Sequence, residues 1–137
     1  MRREYFVDAW FFIAHNDPHD THHKRAKRLG KLLVAGSMVT HEAVLTEVLS
    51  FFADEDARIR AAMAAVVRGA LREMTVLTID RPLFLRALDL YEARSDKEYS
   101  LVDCMSMTVM RERGITHVLT NDHHFSQEGF TVLSDAP

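Results

Sequence analysis

The chain predicts an α/β sandwich, a mainly parallel central sheet of about five strands flanked by helices. Short β-branched or aromatic runs alternate with stretches of helical periodicity along the 137 residues. No two-residue hairpin turn joins the predicted strands, so crossovers must connect them, and strands joined that way run parallel. Length and a 47% apolar content match one ordinary domain spanning residues 1–137, with no compositional break to mark a linker.

The elements follow in order. "EYFV" reads as a first strand ending at Asp8, and "AWFFIAH" as one or two helical turns stopping near Asn16-Asp17-Pro18. Asp20 or Thr21 is placed to cap a second helix, whose Ala26, Leu29, Leu32 and Leu33 recur at helical spacing up to Gly36. "SMVT" is the second strand, followed by a helix over Glu42–Phe52 and, after Asp54, a longer one to about Met74. "TVLTI" is the third strand, and Asp80 and Pro82 open the next helix. Ser100 opens a helix that Gly114 ends after Arg113; "HVLT" and "FTVL" are the fourth and fifth strands.

Composition excludes several classes. No apolar stretch approaches the roughly 20 residues that cross a bilayer, and Asp8 interrupts what would have to be a signal peptide's hydrophobic region, so a cytoplasmic protein is expected. The single cysteine, Cys104, cannot form an internal disulfide and reads as a small core residue. With 17 basic and 20 acidic residues the net charge is −3, which leaves no global positive field for a nucleic acid. Lys24, Arg25, Lys27, Arg28 and Lys31 form one local basic run, and Arg58, Arg60, Arg68 and Arg72 another; solvated helix faces explain most such runs.

Four acids stand in unusual places. Asp8 follows the first strand and Asp122 the fourth, where ligands bind in α/β sheets. Asp103 shares a helical stripe with Met107 and Met110, and Glu47 borders the apolar arc of Leu45, Val48 and Phe52. Singly, each has a structural explanation: Asp8 and Asp122 as caps, Ser100 with Asp103 as a capping box, Glu47 as a rim residue. Together they imply more. Two carboxylates about 5 Å apart repel by roughly 3 kcal/mol at an effective dielectric of 20, so a converging cluster needs a counter-charge. An all-oxygen set suits a hard divalent ion, Mg²⁺ or Mn²⁺, which can activate water against a phosphodiester and let an acidic protein hold a polyanion.

With those acids placed, the sequence resembles the PIN-domain family of metal-dependent nucleases, and within it the VapC-type toxin ribonucleases. "FVDAWFFIA", "VTHEAVLTEVLS", "SLVDCMSM" and "VLTNDHHF" carry the resemblance, which covers essentially the whole chain. It implies a PIN-like α/β/α sandwich in which Asp8, Asp103 and Asp122 are ligands of Mg²⁺ or Mn²⁺ and Glu47 is a ligand or orients the attacking water. Ser100 and Thr120 would be supporting hydroxyls, and Asn121 would contact metal-bound water or substrate. It further implies an RNA substrate, an antitoxin partner and a homodimer, the last suited by apolar Phe51, Phe52 and Ile59. The sequence departs from the family at Ala9, where Thr or Ser commonly follows the first Asp.

Rival readings fit less well. His19, His22 and His23 could share a helix face for zinc, but no second ligand set accompanies them; His123 and His124 stand at the pocket rim beside Asp122. A receiver domain wants paired acids after the first strand and a Lys near the end of the fifth; an Asp-x-Asp phosphatase wants an acid where Trp10 stands. The alternative from another class is a catalytically weak PIN-like RNA-binding or protein-interaction module, for which Ala9 speaks and the four acids do not.

Overall fold

The computed structural model describes residues 2–133, so the ends of the expected 1–137 unit lie outside the described residues. Five strands are short: β1 Tyr5–Val7, β2 Met38–His41, β3 Thr75–Leu77, β4 His117–Leu119 and β5 Thr131–Val132. Seven helices join them: α1 Ala9–Asn16, α2 His23–Leu32, α3 Glu42–Phe51, α4 Ala57–Glu73, α5 Arg81–Ala93, α6 Leu101–Arg113 and α7 His124–Gln127. All pairings are parallel, in the order β3-β2-β1-β4-β5. Such a sheet buries both faces, which explains why Phe6, Val7, Val39, Val118 and Leu119 are all inaccessible to solvent.

The chain builds outward from β1 through β2 to β3, then returns through α5 and α6 to place β4 on the other side of β1. Between β1 and β4 the winding direction reverses, and that switch point opens a crevice beyond the strand ends. Tyr5 pairs with His117 and Val7 with Leu119. Asp8 and Thr120 therefore leave the sheet side by side.

Helix boundaries follow local chemistry. Asp56 and Asp80 accept from Ile59 N and Leu83 N at 2.9 Å, capping α4 and α5. Gly114 closes α6 in the left-handed conformation, φ 69°. The start of α2 differs from the sequence reading. Asp20 Oδ1 accepts from His22 N at 2.8 Å, two residues on, and Asp17 does the same for His19 at 3.0 Å, so both carboxylates are spent on successive turns and the helix begins at His23 without a side-chain cap. β3 stops at Leu77, short of the "TVLTI" run, and β5 is reduced to two residues at the sheet edge. A 3-10 turn over Ala35–Ser37 and the short α7 were not visible in the hydrophobic pattern.

The core joins both layers. From α6 it takes Cys104, Met107 and Met110, all fully buried, and burial pushes the Cys104 thiol up to about 11. Phe52, counted among residues that could serve a second copy of the chain, is only 6% exposed and belongs to this core, whereas Phe51 is 55% exposed. No helix among the described residues is long and apolar enough to cross a membrane.

Candidate active site

Asp8 continues the β1–β4 ladder, its backbone N–H donating to Leu119 O at 3.1 Å, and its side chain then caps α1. Ala9 N donates to Asp8 Oδ1 at 2.9 Å, while Thr120 Oγ1 donates to Asp8 Oδ2 at 2.7 Å. The buried Thr120 hydroxyl also accepts from Asp122 N at 3.1 Å, so one side chain ties the first acid to the backbone of the last. Asp8 thus has a partner on each oxygen although Ala9 offers no hydroxyl, and each oxygen keeps a lone pair for a further ligand.

Asp103 sits at the third position of α6. Ser100 Oγ accepts from Asp103 N, and Ser100 N donates to Asp103 Oδ2, both at 3.0 Å, completing a capping box. The structural explanation and the proposed role are therefore compatible: the cap fixes the carboxylate's direction. Asp122 is held by its own turn, Oδ1 accepting from His124 N at 2.9 Å. Glu47 projects from α3, whose Val44, Leu45 and Val48 are buried, so it stands half-buried at the core's border.

Asp8 and Glu47 both feel the charges of neighbouring acids. Burial pushes Asp8 up to about 6, against the Thr120 and Ala9 hydrogen bonds and with help from the charges of Asp103 and Asp122. Glu47 is pushed up to about 7, again first by burial and then by Asp8 and Asp103. Every charge acting on either group is another carboxylate. Such a set, short of positive charge and made of oxygen, fits a hard divalent cation.

Beyond Glu47 runs a groove of about 640 Å³ lined by Ala9, Ile13, Ala43, Thr46, Phe51 and Val102, among others. It joins α1, α3 and the start of α6, and of the four acids only Glu47 lines it.

Two residues depart from the sequence reading. Asn121 turns away from the acids: its Oδ1 accepts from Arg25 at 3.0 Å, and its Nδ2 lies 3.4 Å from His22 Nε2. Arg25 also stacks 4.8 Å above the Trp10 ring, so Asn121 helps seat α2 against α1. His124, read as a rim residue, instead points inward. Its Nδ1 lies 3.3 Å from Asp103 Oδ2 and 3.1 Å from Asp122 Oδ1, and Asp103, Asp122 and His124 bring ligand atoms within 4.8 Å of one another, a tight group that Asp8 and Glu47 do not join among the described residues. The clue in the sequence was the Asp-x-His spacing, because an aspartate that accepts from the backbone two residues on draws that residue back over its own carboxylate. His19, His22 and His23 do not gather; His23 Nδ1 bonds Ala14 O at 2.7 Å, seating α2 on α1.

The family model of the PIN domain matches residues 5–130. The chain belongs to the PIN-domain family. Its sequence is 33% identical over 131 residues, 93% of this chain and 96% of the other, to the 23S rRNA-specific endonuclease VapC20 of Mycobacterium tuberculosis strain H37Rv. The crystal structure of that species' VapC20, a sarcin-ricin loop cleaving toxin, superposes with a TM-score of 0.85 at 28% identity, covering 96% of this PIN chain and 99% of the other. More distant likenesses show the PIN fold alone: FitAcB from Neisseria gonorrhoeae has a TM-score of 0.73 at 13% identity, covering 96% and 97% of the two chains. DNA-bound VapBC from Salmonella typhimurium has a TM-score of 0.67 at 18% identity, covering 98% and 100%.

Proposed function

We propose that this PIN domain is a Mg²⁺- or Mn²⁺-dependent endoribonuclease that hydrolyses RNA phosphodiester bonds and serves as the toxin of a toxin–antitoxin pair. The observation that carries the reading is the gathering of Asp8, Glu47, Asp103 and Asp122 at the sheet's switch point, where every charge acting on Asp8 and Glu47 is another carboxylate's. Likeness over nearly the whole chain to a 23S rRNA-specific endonuclease supports RNA as the polymer and ribosomal RNA as the first substrate to test.

In this reading Asp8, Asp103 and Asp122 hold the cation through oxygen. A bound divalent ion supplies Lewis acidity toward the scissile phosphate and offsets the cluster's negative charge. Glu47, half-buried at the border of the cluster, is placed for proton transfer, its ionised form accepting a proton from the attacking water. Thr120 orients Asp8, and the Ser100 cap orients Asp103. Asn121, hydrogen-bonded to Arg25, faces the side of α2 rather than the acids. The groove beyond Glu47 suits a segment of the antitoxin, exposed Phe51 suits contact with a protein surface, and the chain is proposed to work as one domain and as a homodimer.

The test is cleavage of purified 23S rRNA in the presence of Mg²⁺ or Mn²⁺. EDTA should stop it, and Asp8→Asn and Asp103→Asn should each remove it while preserving the far-UV spectrum. Cleavage unchanged in both variants would sink the site assignment. RNA binding without cleavage by the metal-loaded wild type would favour a binding module.

A further inference from the structure

We propose that His124 is a positioning residue that holds Asp103 beside Asp122, its Nδ1–H donating to Asp103 while the same nitrogen lies against Asp122, fixing which carboxylate oxygens face the cation. The inference rests on the proposed function in that these two acids are taken as cation ligands. Nδ1 hydrogen-bonds Asp103 Oδ2 at 3.3 Å and lies 3.1 Å from Asp122 Oδ1, a charge contact outside hydrogen-bond geometry. Carboxylates only accept, so the nitrogen between them carries the hydrogen, and Nε2 is left as the other ring nitrogen.

The bonding of the oxygens points the same way. Asp103 Oδ2 already accepts from Ser100 N, and Asp122 Oδ1 from His124 N, so the oxygens facing the imidazole are those held by backbone donors. Asp103 Oδ1 and Asp122 Oδ2 have no hydrogen-bond partner among the described residues, which leaves one oxygen of each acid for the metal. His124 links a helix start to a strand end that share no other side-chain bond through these acids. Removing that link leaves each carboxylate held by its backbone donor alone.

The ring itself is braced. The Tyr99 ring packs against it at 5.3 Å between centroids, and Tyr99 Oη donates to Glu128 Oε2 at 2.9 Å. Glu128, its side chain 5% exposed, is in turn gripped by Arg94 and Arg111. A buried chain of contacts thus runs from two arginines on the protein's exterior to the two acids. Outer partners of this kind typically contribute 10–100-fold to metal affinity or activity.

The experiment measures Mn²⁺ binding by calorimetry and electron paramagnetic resonance, without RNA. In His124→Asn the amide Nδ2 stands at the same bond count from Cβ as the imidazole Nδ1, so binding should stay within about threefold of wild type. In His124→Phe, which keeps the ring contact with Tyr99 and loses the donor, Mn²⁺ binding should weaken about 10–100-fold. Pulsed resonance of the Mn²⁺-loaded wild type should show no directly coordinated imidazole nitrogen. A strong imidazole coupling would make His124 a ligand and overturn the clamp, as would equal losses in the Asn and Phe variants or no loss in either. If wild type binds Mn²⁺ and only this pattern fails, the proposed function stands; if wild type binds no Mn²⁺, both fall.

Discussion

Asp8→Asn should stabilise the metal-free protein at neutral pH while destroying the site. Asp8 titrates at about 6 in the fold against 3.8 as the reference carboxyl. The unfolded chain therefore releases its proton first, and the fold loses stability as pH rises from about 4 through about 6. That difference corresponds to about 3 kcal/mol of strain in the ionised form above pH 7. The amide carries no charge, and its oxygen still accepts from Ala9, but its NH₂ meets Thr120 Oγ1 and deprives that hydroxyl of an acceptor. Taking about 1 kcal/mol for the lost bond, the variant gains a net of about 2 kcal/mol at pH 8. For a chain of 137 residues this is a rise in Tm of about 7 °C. At pH 4 the native carboxyl is already protonated, so the advantage should vanish and turn into a loss of about 1 kcal/mol. Thermal melts of both proteins in EDTA, at pH 4, 6 and 8, read this difference directly. A variant equally or less stable than wild type at pH 8, or one whose advantage does not shrink toward pH 4, would refute a buried, strained Asp8.

Glu47→Gln should lower RNA cleavage by about 10²–10⁴-fold in the presence of Mg²⁺ or Mn²⁺; cleavage near the wild-type rate would remove Glu47 as the proton acceptor. Glu128 is held down to about 2 by Arg94, Arg111 and Tyr99, so its contribution is present above pH 4.5 and lost as pH falls through about 2. Glu128→Gln should therefore cost about 2–3 kcal/mol at pH 7 by urea unfolding, with little effect at pH 2. Gly114→Ala forces a side chain into the left-handed region at φ 69°, and with open space around it the cost should be about 1–2 kcal/mol of backbone strain alone; no measurable loss would mean the helix end adjusts.

Much of the site was legible because strand ends and caps are written locally. Asp8 could be placed after β1 from the apolar run before it, and the Ser100–Asp103 capping box from its spacing; both stand as read. At both positions the cap is compatible with the proposed ligand role, since a helix N-terminus orients the acid that satisfies it. The bond between Asn121 and Arg25 was not legible, because the two lie 96 residues apart and nothing near position 121 announces that partner. The start of α2 was misjudged for a local reason: Asp20 can serve either a turn or a cap, and sequence does not rank two bonds of similar worth.

The sequence by itself determined which segments became strands and helices, that the strands run parallel, and which acids stand at their ends, because periodicity, caps and turn residues act over a few positions. Only the tertiary structure decided that β4 lies beside β1, that Thr120 bridges Asp8 and Asp122, and that His124 turns inward between Asp103 and Asp122. Those outcomes depend on the order of strands and on packing between residues up to 112 positions apart, and such distances leave no periodic trace in the chain.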